Sequence, residues 1–94
     1  MNIMTTEIPG GWSAFDYEIT GVAKEVLKEA LEGFVGATYT PSAFATQIVA
    51  GTNYCFLCTG QIVVPNAPRF PALVHVFKPL NGKAHISEII RIKP

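Results

Sequence analysis

Residues 44–64, with the sequence FATQIVAGTNYCFLCTGQIVV, contain two runs of strand-forming residues on either side of a short turn. Phe44 to Ala50 alternates weakly between apolar and polar positions, and Tyr54 to Val64 is rich in β-branched and aromatic side chains. Gly51-Thr52-Asn53 between them is typical of a turn. The stretch therefore predicts an antiparallel hairpin, around which the other segments have to be arranged.

Two further strands are predicted after this hairpin, at Leu73 to Lys78 and at Ala84 to Ile92. Pro79-Leu80-Asn81-Gly82 forms the turn between them. A stiff connector precedes the third strand, because proline cannot donate to a sheet; its prolines are Pro65, Pro68 and Pro71. In the fourth strand we expect three isoleucines on one face: Ile86, Ile90 and Ile92.

One helix is predicted before the hairpin, from Ala14 to Leu31 or Glu32. Ser13 and Asp16 resemble a capping box at its start, and Gly33 and Gly36 supply its end. Apolar side chains occupy one half of the helical wheel: Phe15, Ile19, Val22, Ala23, Val26, Leu27, Ala30, Leu31 and Phe34. Such a helix needs a flat apolar surface to cover.

One helix followed by an antiparallel meander predicts an α+β fold, with the sheet wrapped around one long α-helix. The chain has 94 residues, of which 49% are apolar and 15% charged, so we expect a single domain over 1–94. Residues 1–11 are predicted to be a flexible N-terminal arm that ends in Ile8-Pro9-Gly10-Gly11. This arm could add a short edge strand to the sheet.

The charge balance argues against two classes of partner, and the sequence predicts neither a membrane span nor a secretory signal. Seven basic and seven acidic residues cancel, which argues against nucleic-acid and membrane-surface binding. No apolar run approaches the roughly 18 residues of a membrane span, and Met1 to Glu7 lacks the features of a secretory signal.

Cys55 and Cys58 have the spacing of a redox pair or half a zinc site. On a strand, however, residues three apart point to opposite faces, which favours two free thiols over a disulfide or a chelate. Free thiols suit a reducing compartment, and we expect the cytoplasm. His75 and His85 lie on strands that pair, and surface imidazoles are favoured there over a metal site because no third ligand is evident.

No nucleophile has a recognisable base and orienting partner, so the sequence predicts neither an enzyme nor a bound cofactor or metal. What remains is a set of uncharged turns. In a meander, alternate turns lie at the same end of the sheet, so the turn after Ala50 and the turn after Lys78 should share an end. The arm could reach the same end. Together these would form an apolar wedge suited to another protein's groove.

Three landmarks in this order resemble the cystatins, and in particular the disulfide-free branch called stefins. Gln47-Ile48-Val49-Ala50-Gly51 matches the Q-x-V-x-G motif, and the match continues through Thr52-Asn53-Tyr54. Ile8-Pro9-Gly10-Gly11 is similar to the stefin N-terminal segment. Residues 76–82, VFKPLNG, resemble the second stefin hairpin, with Asn81 where proline is common. The resemblance spans Ile8 to Ile92.

The resemblance implies reversible inhibition of papain-like cysteine proteases of the cathepsin type. Ile8, Pro9 and Gly10 would then occupy the non-primed subsites. The first hairpin would cover the catalytic centre with Gln47, Ile48, Val49, Ala50 and Gly51. The second would touch the primed side with Leu80, Asn81 and Gly82.

The chain also departs from the stefin pattern. Its stretch between helix and motif is shorter and contains Pro41, its connector at 65–71 is richer in proline, and it ends at Pro94 without a charged tail. One alternative is therefore a cystatin-fold protein-binding module without protease inhibition. We expect a monomer, with a domain-swapped dimer as the alternative if Val49 is strained in its turn.

Overall fold

A computed structural model describes residues 11–94, which form one helix and four strands. Helix α1 spans Gly21–Ala30, and the strands are β1 (Ala37–Val49), β2 (Gly51–Ile62), β3 (Arg69–Lys78) and β4 (His85–Arg91). The strands form one antiparallel sheet in the order β1-β2-β3-β4. The predicted α+β class and the meander are therefore confirmed.

The first hairpin is longer than its sequence predicts, because β1 begins at Ala37 and not at Phe44. Pro41 is tolerated in β1 because a register irregularity falls between Pro41 and Ala43. Strand β3 also begins earlier than predicted, at Arg69, and includes Pro71, whose carbonyl accepts from the Ile92 N–H at 3.0 Å.

The core lies between α1 and one face of the sheet, which we call the inner face. Tyr54, Phe56 and Cys58 alternate along β2 and point to this face, as do Val74 and Val76 of β3. The α1 side chains that cover them are Ala23, Val26 and Leu27. The tyrosine and phenylalanine of β2 stack at 5.6 Å between ring centroids, 4° from parallel. The opposite side of the sheet is the outer face.

The predicted apolar face of β4 is wrong. A register irregularity pairs His75 with Glu88 but Val76 with Ile86, so the strand gains one residue in between. The alternation changes phase at this bulge. Ile86 and Ile89 therefore pack against the core, whereas Ile90 and Ile92 remain partly exposed.

The predicted long helix is also wrong, because α1 has 10 residues and covers about 15 Å of the sheet. It begins after Thr20, whose hydroxyl accepts from the Ala23 N–H at 3.1 Å as the N-cap. The sheet therefore carries a short helix on one face. No helix within residues 11–94 has the length and hydropathy needed to cross a membrane.

The reason for the late helix start is pairing between residues 12–16, which we call the N-terminal segment, and the free edge of β1. Asp16 and Phe44 exchange two backbone hydrogen bonds, at 2.8 and 3.0 Å. The Ser13 hydroxyl accepts from the Thr46 N–H at 2.9 Å, so it caps a strand and not a helix. Backbone bonds to β1 thus outcompete the helical pattern in this segment. The edge strand expected of the arm stays a prediction, because residues 1–10 lie outside the described residues and the pairing seen is that of residues 12–16.

Candidate functional site

The turns β1–β2 and β3–β4 lie side by side at one end of the sheet, as predicted. Thr52 pairs with Lys78, so the first residues of β2 are next to the last residues of β3. We call residues 47–51 and 79–82 the tip. The structure thus brings together all the candidate residues of the two hairpins: Gln47, Ile48, Val49, Ala50, Gly51, Leu80, Asn81 and Gly82. The candidates Ile8, Pro9 and Gly10 lie outside the described residues.

The first turn is tight, because Val49 pairs with Gly51 and leaves only Ala50 between the strands. Gly51 has φ +109°, a backbone conformation that other residues rarely adopt. Val49 does not take a positive φ, so the strain expected there is not found. Below the turn, the Asn53 side-chain amide donates to Gln47 Oε1 at 2.9 Å and ties the two strands together on the outer face.

The second turn is held by two side chains that the sequence patterns did not single out. The Lys78 ammonium donates to the Gly82 carbonyl within the turn. Glu29 of α1 accepts the Ala84 N–H on its Oε1 at 2.7 Å, which fixes the end of the turn to the helix. Glu29 lies outside the apolar half of the helical wheel, so its position on the helix gives no reason to expect this contact. The contact joins residues 55 positions apart, and no local pattern signals it.

Three apolar side chains of the tip point into solvent. Ile48 is 63% exposed, Val49 43% and Leu80 77%. Large apolar groups at this exposure carry no core packing of their own, so they are available to a partner. Gly51, by contrast, is buried against β3 and shapes the turn without presenting a surface.

Trp12 packs on the face of the sheet opposite to α1. Its ring lies on the outer face against His75 of β3, with 6.0 Å between centroids and an 82° angle. His75 is half-buried there and is not a surface imidazole, and its Nε2 lies 3.7 Å from Cys55 Sγ. His85 is exposed and packs edge-on against Phe77.

The two cysteines lie on opposite faces of β2, as predicted. Cys58 belongs to the core on the inner face, whereas Cys55 contacts His75 on the outer face. Both are free and buried. Burial raises the pKa of Cys55, and burial together with the nearby Cys55 raises the pKa of Cys58 to about 12. Both thiols therefore stay protonated at neutral pH, which is unsuited to nucleophilic attack.

The described residues contain no group of three or more His, Cys, Asp or Glu side chains that could hold a metal ion. The tip itself consists of apolar and amide side chains with glycines. Its chemistry is therefore shape and apolar burial. No protein-family model, no curated protein and no solved structure matches this chain.

Proposed function

We propose that the chain is a reversible inhibitor of papain-like cysteine proteases that inserts its tip into the active-site cleft. The observation that carries the proposal is the pairing of Thr52 with Lys78, which puts the Q-x-V-x-G turn beside the Leu80 turn. A groove-shaped active site would meet both turns at once. On this proposal the chain is a cystatin-like binding protein with no catalytic step of its own.

The rigidity of the tip supports this function. The first turn has one residue between its strands, and the Asn53–Gln47 bond closes the ladder beneath it. The second turn is bonded internally by Lys78 and externally by Glu29. Loops that are already ordered lose little conformational entropy on binding, so more of the apolar burial remains as affinity.

The N-terminal arm is the third part of the proposal. Trp12 bridges Gln47 and Asp16 bridges Phe44, so the chain runs antiparallel to β1. Traced back from residue 16 to residue 12, the backbone therefore advances toward the tip. We propose that Ile8, Pro9 and Gly10 contact the non-primed subsites from this side, with Gly10 allowing a close backbone approach.

The direct test is inhibition of papain by the purified chain. We expect stoichiometric loss of activity with the chain recovered intact, because on this proposal the side chains of the tip fill the cleft and no peptide bond is presented for cleavage. Leu80→Asp and Val49→Asp should each weaken inhibition by about 10- to 100-fold, the amount that corresponds to one apolar side chain buried in a groove.

The matched control is Val35→Asp. Val35 is 87% exposed, and it lies at the other end of the sheet, where Gly36 accepts a hydrogen bond from Val63 after the end of β2. It therefore adds the same charge without touching the tip, and inhibition should be unchanged. If papain keeps its full activity in the presence of micromolar concentrations of the chain, the proposal is rejected. The alternative of a protein-binding module without inhibition then remains.

The proposed compartment is reducing, with the cytoplasm as our expectation, because two free thiols are built into the sheet. The proposed state is a monomer. A swapped dimer would have to open the first turn, and elution that changes with heating or concentration would reveal it.

A further inference from the structure

Trp12 reaches across the outer face from one edge of the sheet to β3. Its backbone bridges Gln47 at the free edge of β1, yet its ring meets His75, which is two strands further on. The contact therefore spans β2. Cys55, which pairs with His75 and lies 3.7 Å from its ring nitrogen, is only 6% exposed.

The residues beside His75 in its own row of the sheet are small. Ala45 pairs with Cys55, and Cys55 pairs with His75, so the three form one row across the outer face. Ala45 is only 3% exposed. The recorded ring contact of the indole in this row is the edge-on one with His75. We call His75 together with the short side chains beside it the seat of Trp12.

The backbone next to Trp12 is fixed as well. The Ser13 N–H donates to the Thr46 carbonyl at 2.8 Å, and the Thr46 N–H donates back to the Ser13 hydroxyl at 2.9 Å. Backbone pairing sets the direction of the segment, and the ring contact of Trp12 with His75 adds a second attachment at its start.

We propose that Trp12 and His75 are positioning residues for the N-terminal arm. By seating the indole on β3, His75 holds the N-terminal segment against β1, so that Trp12, near which the arm joins the segment, stays beside Gln47 of the tip. This inference rests on the proposed function, because it assigns the arm's contribution to protease binding to a contact outside the tip. A pre-positioned arm binds at a higher effective concentration than a free one.

The seat is tested first without any protease. The chain has a single tryptophan, so its fluorescence reports on Trp12 alone. We expect His75→Ala to increase acrylamide quenching of Trp12, because the indole leaves its seat. His85→Ala is the matched control, since His85 packs on Phe77 and should leave the quenching unchanged. Unchanged quenching in His75→Ala would overturn the inference.

The positioning role is tested by papain binding in two backgrounds. One edge-on aromatic pair corresponds to about a two- to tenfold change, so His75→Ala should weaken inhibition by that factor. In a chain of all 94 residues that carries Gly10→Glu, a change expected to prevent the close approach of the arm, the same substitution should add almost nothing. An equal loss in both backgrounds would overturn the inference, because His75→Ala would then weaken inhibition without involving the arm.

The variant Trp12→Ala tests whether weaker inhibition arises from loss of the Trp12–His75 contact or from a less stable fold. Trp12 is 41% exposed and lies outside the core cluster, so its removal should leave the thermal unfolding midpoint close to that of the unaltered chain. It should reproduce the loss of inhibition seen with His75→Ala. If the unaltered chain inhibits papain and Trp12→Ala inhibits equally well, only this inference fails. If the unaltered chain does not inhibit at all, the proposed function fails as well.

Discussion

The carbonyl oxygen of Lys78 closes the space beside Gly51. A β-carbon at position 51 would lie 2.6 Å from that oxygen and 3.0 Å from the ring of Phe77. The two turns are distant in the sequence, and they can approach this closely because residue 51 has no side chain. The glycine of the Q-x-V-x-G motif sets the shape of both hairpins, in addition to allowing its own φ of +109°.

Gly51→Ala should distort the tip more than the rest of the molecule. The positive φ alone costs about 1–3 kcal/mol, and the close approach to Lys78 requires β2 or β3 to shift. We expect a lower free energy of unfolding in urea and weaker papain inhibition. The control is Gly21→Ala, because a β-carbon at the start of α1 meets nothing within 4 Å. It should be neutral or stabilising by up to about 1 kcal/mol. Equal effects of the two substitutions would contradict this account.

The sequence predicts those features of this site that local patterns determine, and it does not predict those that depend on contacts between distant residues. The order of the two turns and their common end were predictable, because strand alternation is local and a meander fixes which turns share an end. The predicted turn at Gly51-Thr52-Asn53 is wrong, because these residues already pair with β1 and only Ala50 lies between the strands. The contacts that hold the turns were not predictable. The Glu29 carboxylate, the Lys78 ammonium and the Trp12 ring each interact in a way that depends on the three-dimensional arrangement of the strands and helix.

Glu29→Ala should loosen the second turn. Loss of the 2.7 Å acceptor leaves the part-buried Ala84 N–H without this partner, at a cost of about 1–3 kcal/mol. Faster amide exchange at Ala84 is the specific measurement. Glu29→Gln keeps an acceptor oxygen at the same position and should retain most of the protection. Identical exchange in both variants would show that this bond does not hold the turn.

The start of α1 shows why local patterns can fail at an edge strand. Ser13 and Asp16 are residue types that cap helices, and they have the spacing of a capping box. The helical repeat of apolar residues extends back to Phe15. An unpaired strand edge nevertheless offers backbone hydrogen bonds that a helix in this segment would have to forgo. The edge of β1 is formed by residues about 30 positions away, so its effect on the segment cannot be derived from residues 12–20 alone.

Substitution of the two candidate caps should separate the alternatives. Thr20→Ala should lower the free energy of unfolding by about 1 kcal/mol, because Thr20 is the N-cap of α1. It should also reduce helical circular dichroism when the protein is partly destabilised. Ser13→Ala should leave the helical signal unchanged and instead speed exchange of the Thr46 amide, whose acceptor is the Ser13 hydroxyl. A larger helical loss in Ser13→Ala than in Thr20→Ala would favour the long helix that the sequence predicts.

The core thiol makes the stability of the fold sensitive to alkaline pH. The pKa of Cys58 is raised from 9.0 to about 12, chiefly by burial on the inner face and further by Cys55. Below pH 9 both the folded and the unfolded chain keep this proton, so Cys58 adds no pH dependence. Above pH 9 the unfolded chain releases the proton while the folded chain retains it, and the free energy of unfolding falls until about pH 12.

The slope should be at most about 1.4 kcal/mol per pH unit for this thiol, added to that of other groups that titrate there. Urea unfolding of the unaltered chain and of Cys58→Ala between neutral pH and pH 11 measures the difference. The variant begins less stable because it leaves a small cavity under α1, and its stability should then fall less steeply with pH. Parallel curves would show that Cys58 is not held protonated by the core, because a thiol with the same pKa in both states contributes no slope.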